Sequence, residues 1–424
     1  MAFAPFGYDY SLKQSESYQD VKLRLHHYLI DRIEEERIPV AEMSRDDLAA
    51  YVRGKVARYV GEHRLAVTAY DTEQLAREMV DELTGFGPLE KLIRDDQVSD
   101  ILVNGCRNIF VERAGRLQRM DMRFIDDDHV LRVIRRILAP LGRRLDESSP
   151  MVDARLPDGS RVNAIIPPVA LAGPCLSIRK FRKDPLQAGD LLAYGTVDQT
   201  VLDFLQRAVE KRCNILISGG TGAGKTTLLN VLSRAIPAEE RLVTIEDAAE
   251  LQLGHDHVVG LETRPPNIDG RGQVTARDLV RNALRMRPDR IILGEVRGDE
   301  VMDVLQAMNT GHDGCMSTVH ANSPRDALVR LEMLAGLAGF QGTDQTLKTM
   351  IATALDLIVQ VSRLPDGRRR VMAIDEVLGV QDGHFVVSGL YEFRSDSDGF
   401  FSLGVQPSSP KLRQEGAGRG KWRS

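Results

Sequence analysis

Apolar residues fall at helical spacing through the first fifth of the chain. Val21, Leu25, Tyr28, Leu29 and Ile33 share one face of a helix predicted over 18–36. Ser44 precedes Leu48, Val52, Val56 and Val60, an i, i+4 stripe that a serine cap would start. Leu75, Met79 and Leu83 make a third stripe, which Asp71 would cap and Gly85 would stop. These stripes read as the core of a small helical bundle over 1–84. From Gly87 the period shortens. Residues 100–104, 109–113 and 116–124 read as strands with turns at Gly105 and Gly115, 126–141 as a helix, 151–166 as a hairpin about Pro157-Asp158-Gly159, and 176–181 as a further strand. This predicts an α+β domain over 85–182, followed by a linker and helix over 183–211. Then apolar runs at 215–218, 242–246, 291–293, 316–319 and 357–361 alternate with helical stretches, which predicts a largely parallel sheet in an α/β domain over 212–405. The end, 406–424, has five basic residues against Glu415 and no apolar period; a disordered basic tail is expected.

Composition narrows the class. The 424 residues suit two or three domains, and 42% hydrophobic with 28% charged suits globular cores. A net charge of −5 argues against a globally basic nucleic-acid coat. The longest apolar run, 165–178, is broken by Pro167, Pro168 and Pro174, so no membrane span is expected. The N-terminus lacks the basic and apolar regions of a signal peptide. Cys106, Cys175, Cys213 and Cys315 form no CxxC pair, which suits a reducing cytoplasm.

Candidate chemistry begins where an apolar strand runs into Gly219-Gly220-Thr221-Gly222-Ala223-Gly224-Lys225-Thr226-Thr227 and a helical pattern follows. This is a P-loop in its required strand–loop–helix context. Its glycines let backbone N–H groups cradle phosphate oxygens, Lys225 reaches the β- and γ-phosphates, and Thr226 can ligate Mg²⁺. Hydrolysis also needs acids. Glu246-Asp247 ends one apolar strand, and Glu295 ends another with Arg297 beside it. Ligands of open parallel sheets sit at the carboxyl ends of strands, where these acids lie.

The motif set resembles the secretion superfamily of P-loop ATPases, within it most closely the CpaF branch, the tight-adherence or Flp pilus motor. The resemblance spans Gly85 to about Val377. It rests on GGTGAGKTT, VTIEDAAELQL, PDRIILGEVRGDE and TGHDGCMSTVHANSPRDAL, and on the upstream GFGPLEKLIRDD, SSPMVDARLPDGSRVNAIIPP and LSIRKF. HVVGLETRPPNIDGRGQVTARDLVRNALRMRPD also resembles this branch. Asp299 stands where a second glycine is expected and Cys315 where serine is usual. The resemblance implies a RecA-like P-loop domain behind a PAS-like α+β domain, ATP and Mg²⁺ as ligands, and a homohexamer with nucleotide between the two domains and near a neighbouring subunit. It implies Glu295 as the catalytic glutamate, Glu246 near Mg²⁺ and water, and His320, with His312, in a box sensing the γ-phosphate. Arg155, Arg161 and Arg179 resemble arginines that approach nucleotide across the cleft; surface ion pairs are the other reading. The implied place is cytoplasmic and peripheral at the inner membrane, against pilus or secretion platform proteins, with no direct nucleic-acid contact.

Other readings stay open. Arg277, Arg281 and Arg285 lie at i, i+4, i+8 on a helix that Thr275 would cap, either a solvated face or a positive ridge near phosphate. Zinc binding by His312, Cys315 and His320 lacks a fourth ligand. Conjugative type IV secretion is the near alternative function. A nucleic-acid motor is more distant: residues 264–297 hold eight arginines against four acids, with no interleaved aromatics.

Overall fold

The computed structural model describes residues 16–40, 43–65, 67–113, 115–181, 185–266 and 271–413. The first 15 residues of the expected bundle, 267–270 and the tail from 414 onward lie outside them. The chain divides into two compact units, 1–182 and 183–424.

In the first unit α1 (Glu16–Glu35), α2 (Arg45–Glu62) and α3 (Ala69–Thr84) close on buried Leu25, Leu29, Leu48, Val52, Val56, Leu75 and Met79. Ser44 caps α2 by accepting the Asp47 N–H at 3.1 Å. The cap of α3 is Thr68, not Asp71. Thr68 Oγ1 accepts the Asp71 N–H at 3.1 Å and the Asp71 carboxylate accepts the Thr68 N–H at 3.0 Å, so Asp71 is the far half of a capping box. After α4 (Glu90–Arg94) come β1 (Val98–Asn104), β2 (Asn108–Arg113), β3 (Arg116–Arg119), α5 (Asp127–Leu138), β4 (Met151–Arg155), β5 (Arg161–Ile165) and β6 (Cys175–Arg179). The strands form one antiparallel sheet in the order β3-β2-β1-β6-β5-β4. Val130, Val133, Ile134 and Ile137 of α5 share its core. β3 stops at Arg119, short of the expected 124, because Phe124 leaves the strand to bury its ring in that core. The bundle is not separate from the sheet domain. Lys22 Nζ of α1 lies 2.7 Å from Glu82 Oε1 of α3, and His129 Nε2 of α5 lies 2.9 Å from Glu82 Oε2.

The second unit runs α6 (Ala188–Ala193), α7 (Gln199–Glu210), β7 (Ile215–Gly219), α8 (Lys225–Ser233), β8 (Leu242–Glu246), β9 (Val258–Glu262), α9 (Ala276–Ala283), β10 (Arg290–Val296), α10 (Glu300–Asn309), β11 (Met316–Val319), α11 (Pro324–Leu337), α12 (Asp344–Ala354), β12 (Leu357–Arg363), β13 (Arg369–Gln381), β14 (His384–Arg394) and β15 (Gly399–Ser402). The sheet order is β15-β14-β13-β12-β7-β11-β10-β8-β9. From β12 to β9 every pairing is parallel, and from β12 outward to β15 every pairing is antiparallel. One face packs α9 to α12 and the other α7 and α8, so β7 and β8 are buried along their whole length, as continuous apolar runs require.

The antiparallel wing departs from the expected parallel sheet. Register shifts at Ile374/Asp375 and Val377/Gly379 break the period of two in β13, which hides the strand from its own pattern. The start of the expected tail is also ordered. Glu376 accepts the N–H groups of Ser408 and Ser409 at 2.9 and 2.7 Å, and Lys411 Nζ lies between Asp313 and Asp356. Among the described residues no helix is long and apolar enough to cross a membrane.

Candidate nucleotide site

β7 delivers Gly219 to the loop, and α8 begins at Lys225. The glycines of the loop are required for different reasons. A Cβ on Gly219 would lie 2.4 Å from the Val361 carbonyl of β12. Gly222 and Gly224 sit at φ +67° and +99°, where L side chains are strained. The N–H groups at the start of α8 have no helical acceptor, and the helix dipole adds positive potential there. Lys225 Nζ donates to Gly219 O at 2.9 Å and Gly220 O at 3.1 Å, which folds the side chain along the loop. Burial lowers its pKa, opposed by the charge of Glu295. Thr226 and Thr227 follow on the first turn of α8, half-buried. Turned-in amides, a helix start and a lysine on the loop fit a polyphosphate.

Glu295 leaves the end of β10 with Oε2 bound by Arg297 Nε at 2.9 Å and Nη2 at 2.6 Å. Arg297 Nη1 reaches Asp247 Oδ2 at 3.2 Å. Glu300 fixes this turn by accepting the N–H groups of Arg297 and Gly298 at 2.6 and 2.9 Å. Glu246 differs from its neighbour Asp247. Its Oε1 accepts the N–H groups of Glu250 and Leu251 at 2.8 and 2.9 Å, and the side chain is buried. Burial, with Glu250 and Glu262 nearby and the two amides opposing, pushes its pKa up to about 7. Lys225, Glu295, Arg297 and Asp247 are thus brought together, while Glu246 faces its own following turn. β11 separates His312, before its first residue, from His320, directly after its last. His320 is exposed beside Ser218 and Val296, the strand-end partners of Val319.

Residues 82–385 match the family described as Type II/IV secretion system protein. The chain belongs to that family. A putative conjugal transfer protein of Mycobacterium tuberculosis is 43% identical over 312 residues, covering 72% of this chain and 88% of that protein. The conjugal transfer protein TrbB of Rhizobium radiobacter is 32% identical, covering 72% and 91%. VirB11 of Agrobacterium fabrum is 32% identical, covering 69% and 96%. Among solved structures, the Legionella pneumophila ATPase DotB has a TM-score of 0.50 at 22% identity, covering 69% and 80%, a likeness of fold. With the phosphate loop described above, membership of that family makes the present chain an ATPase.

In this secretion ATPase the remaining arginines are placed unequally. Register sets Arg155, Arg161 and Arg179 directly opposite one another across β4, β5 and β6, and Arg179 continues the row to Asp100 at 3.1 Å. The ridge on α9 is spent internally. Arg277 and Arg281 both bind Asp303, Arg277 also reaches Asp299, and Arg285 turns to Asn282. Arg290 is buried on Glu240 and the Val209 carbonyl. Sequence reasoning did not single out Asp247 in the Arg297 network, Glu300 as the brace of that turn, or Arg363 and Arg369 beside the loop.

Proposed function

We propose that this ATPase is a homohexameric, Mg²⁺-dependent motor that powers tight-adherence (Flp) pilus assembly, peripheral to the inner membrane on its cytoplasmic side and acting on platform proteins there. The observation that carries the enzymatic part is the convergence of Lys225, Glu295 and Arg297 at the ends of β7 and β10. We read the second unit as RecA-like and the first sheet as PAS-like. Bound ATP·Mg²⁺ supplies the scissile phosphate and a counter-charge to it. The loop amides, Lys225 and Thr227 would hold the phosphates, and Thr226 would ligate the metal. Glu295 orients and deprotonates water. Arg297 aims that carboxylate by binding one oxygen, leaving the other for water. Glu246 would stand near the metal and water, with its Oε1 already held by the Glu250 and Leu251 N–H groups. His320 senses the γ-phosphate, and Arg155, Arg161 and Arg179 add positive charge to nucleotide in the assembled ring.

Conjugative type IV transfer is supported about as well, by relatives named conjugal transfer proteins. Deleting the gene in its host and scoring surface pili against plasmid transfer separates the two. For the enzyme, Lys225→Ala should weaken nucleotide binding and turnover together. Glu295→Gln should bind ATP normally and lose about 10²-fold or more in turnover. Phosphate release measured beside ATP affinity decides, and wild-type turnover in Glu295→Gln rejects the assignment.

A further inference from the structure

The hairpin of β12 and β13 carries Arg363, Arg368, Arg369 and Arg370. They alternate in direction, as neighbouring strand residues do. Arg368 binds Asp366 and Asp398, and Arg370 donates to the Tyr194 carbonyl at 2.6 Å. Arg369 turns the other way, to the phosphate loop. Its Nε donates to the Gly222 carbonyl at 3.0 Å, and its Cδ lies 3.3 Å from where a Cβ on Gly224 would be. One side chain therefore spans both positive-φ glycines of the loop.

The bond has a defined mechanical effect. A trans peptide points its carbonyl and its N–H in opposite directions. Drawing Gly222 O outward to Arg369 turns the Ala223 N–H inward, where it meets Gly220 O at 3.3 Å. A single guanidinium thus sets the plane of one peptide of the phosphate loop.

Arg363 stands directly opposite Arg369 across the hairpin, with Nη1 3.8 Å from the Cβ position of Gly222. It makes no hydrogen bond or ion pair with any described residue and is exposed.

We propose that the β12–β13 hairpin is a working part of the nucleotide site in the same subunit. Arg369 is a positioning residue that fixes the Gly222 peptide, and Arg363 beside it is a cation for the polyphosphate of a nucleoside tri- or diphosphate. The proposal rests on the reading of residues 219–226 as the phosphate loop.

The test measures steady-state kinetics and the equilibrium affinity of a fluorescent ATP analogue on the full chain, for Arg369→Ala, Arg369→Lys, Arg363→Ala, Arg368→Ala and Lys225→Ala. Arg369→Ala should raise KM and Kd about ten-fold, the scale of one charge-assisted hydrogen bond, with kcat within about two-fold of wild type. Arg369→Lys keeps the charge without the Nε donor and should recover part of the loss. Arg363→Ala should raise KM, and its affinity should depend less on salt. Arg368→Ala, whose side chain points away, should leave KM unchanged. Should Arg369→Ala not fold, Arg369→Lys and Arg363→Ala carry the comparison. Wild-type KM and Kd in both Arg369→Lys and Arg363→Ala, or an equal KM effect in Arg368→Ala, overturns the proposal. If Lys225→Ala loses affinity while the hairpin variants do not, the hairpin inference alone fails. If Lys225→Ala binds nucleotide as wild type does, the phosphate-loop reading fails and the hairpin proposal falls with it.

Discussion

Glu246 and Glu295 both end apolar strands of one sheet, yet their surroundings give them different chemistry. Glu295 is met by a guanidinium, whereas Glu246 is buried under Gly294 with its pKa pushed up to about 7. Below the ordinary glutamate value of 4.5 both folded and unfolded chains hold this proton. Between there and about pH 7 only the folded chain keeps it, so this residue's contribution to stability falls as pH rises and then levels off, by at most roughly 3 kcal/mol. Glu246→Gln should lose that slope. Melting temperatures of nucleotide-free wild type and variant at pH 5 and pH 8 check it: a difference that does not change with pH sinks the idea. Gly294 belongs to the same arrangement, because a Cβ there would lie 3.0 Å from Glu246 Cγ. Gly294→Ala should displace Glu246 and lower the melting temperature, read alongside ATP turnover.

At the scale of elements, the phosphate loop is held as much by its neighbouring strand as by its own motif. Val361 of β12 pairs with Gly219, and a Cβ on Gly219 would collide with the Val361 carbonyl, so no methyl group fits between the two backbones. Gly219→Ala should therefore cost about 1–3 kcal/mol through forced separation of β7 from β12, visible as an earlier thermal transition. A stable Gly219→Ala with intact nucleotide binding would contradict that packing. Continuous apolar runs made β7, β8, β10, β11 and β12 readable, since strands buried on both faces need no alternation. β13 was not readable, because its bulges alternate the exposure of Asp375 and Leu378 out of step. The motif located Lys225 and the acids, but which arginine serves them was hidden. Arg368, Arg369 and Arg370 are identical in sequence and differ only in the face they occupy. Likewise Thr68 and Asp71 are both good caps on paper, and only the backbone turn decides which one starts the helix.

For the whole molecule, the arginine census bears on the partner. Of the excess in 264–297, Arg277, Arg281, Arg290 and Arg297 are bound to carboxylates of their own unit. DNA should accordingly bind without the steep salt dependence of a protein neutralising several phosphates. Titrating labelled DNA at two salt concentrations tests this, and tight, salt-steep binding that also raises ATP turnover would favour a nucleic-acid motor. A ring has a separate signature. Mixing Glu295→Gln subunits into wild type should depress activity by more than their fraction, because a head-to-tail interface lets one subunit serve the next. Strictly proportional loss would mean self-sufficient protomers.

The buried Lys22–Glu82–His129 contact bears on truncation. The family match begins at residue 82, so the carboxylate lies just inside the shared region while its lysine lies outside it. A chain cut back to the matched region would keep the buried Glu82 carboxylate and lose its lysine, leaving His129 as its partner. The bundle is thus not a cassette that can be trimmed freely: one buried carboxylate of α3 holds α1 on one side and the sheet domain's α5 on the other.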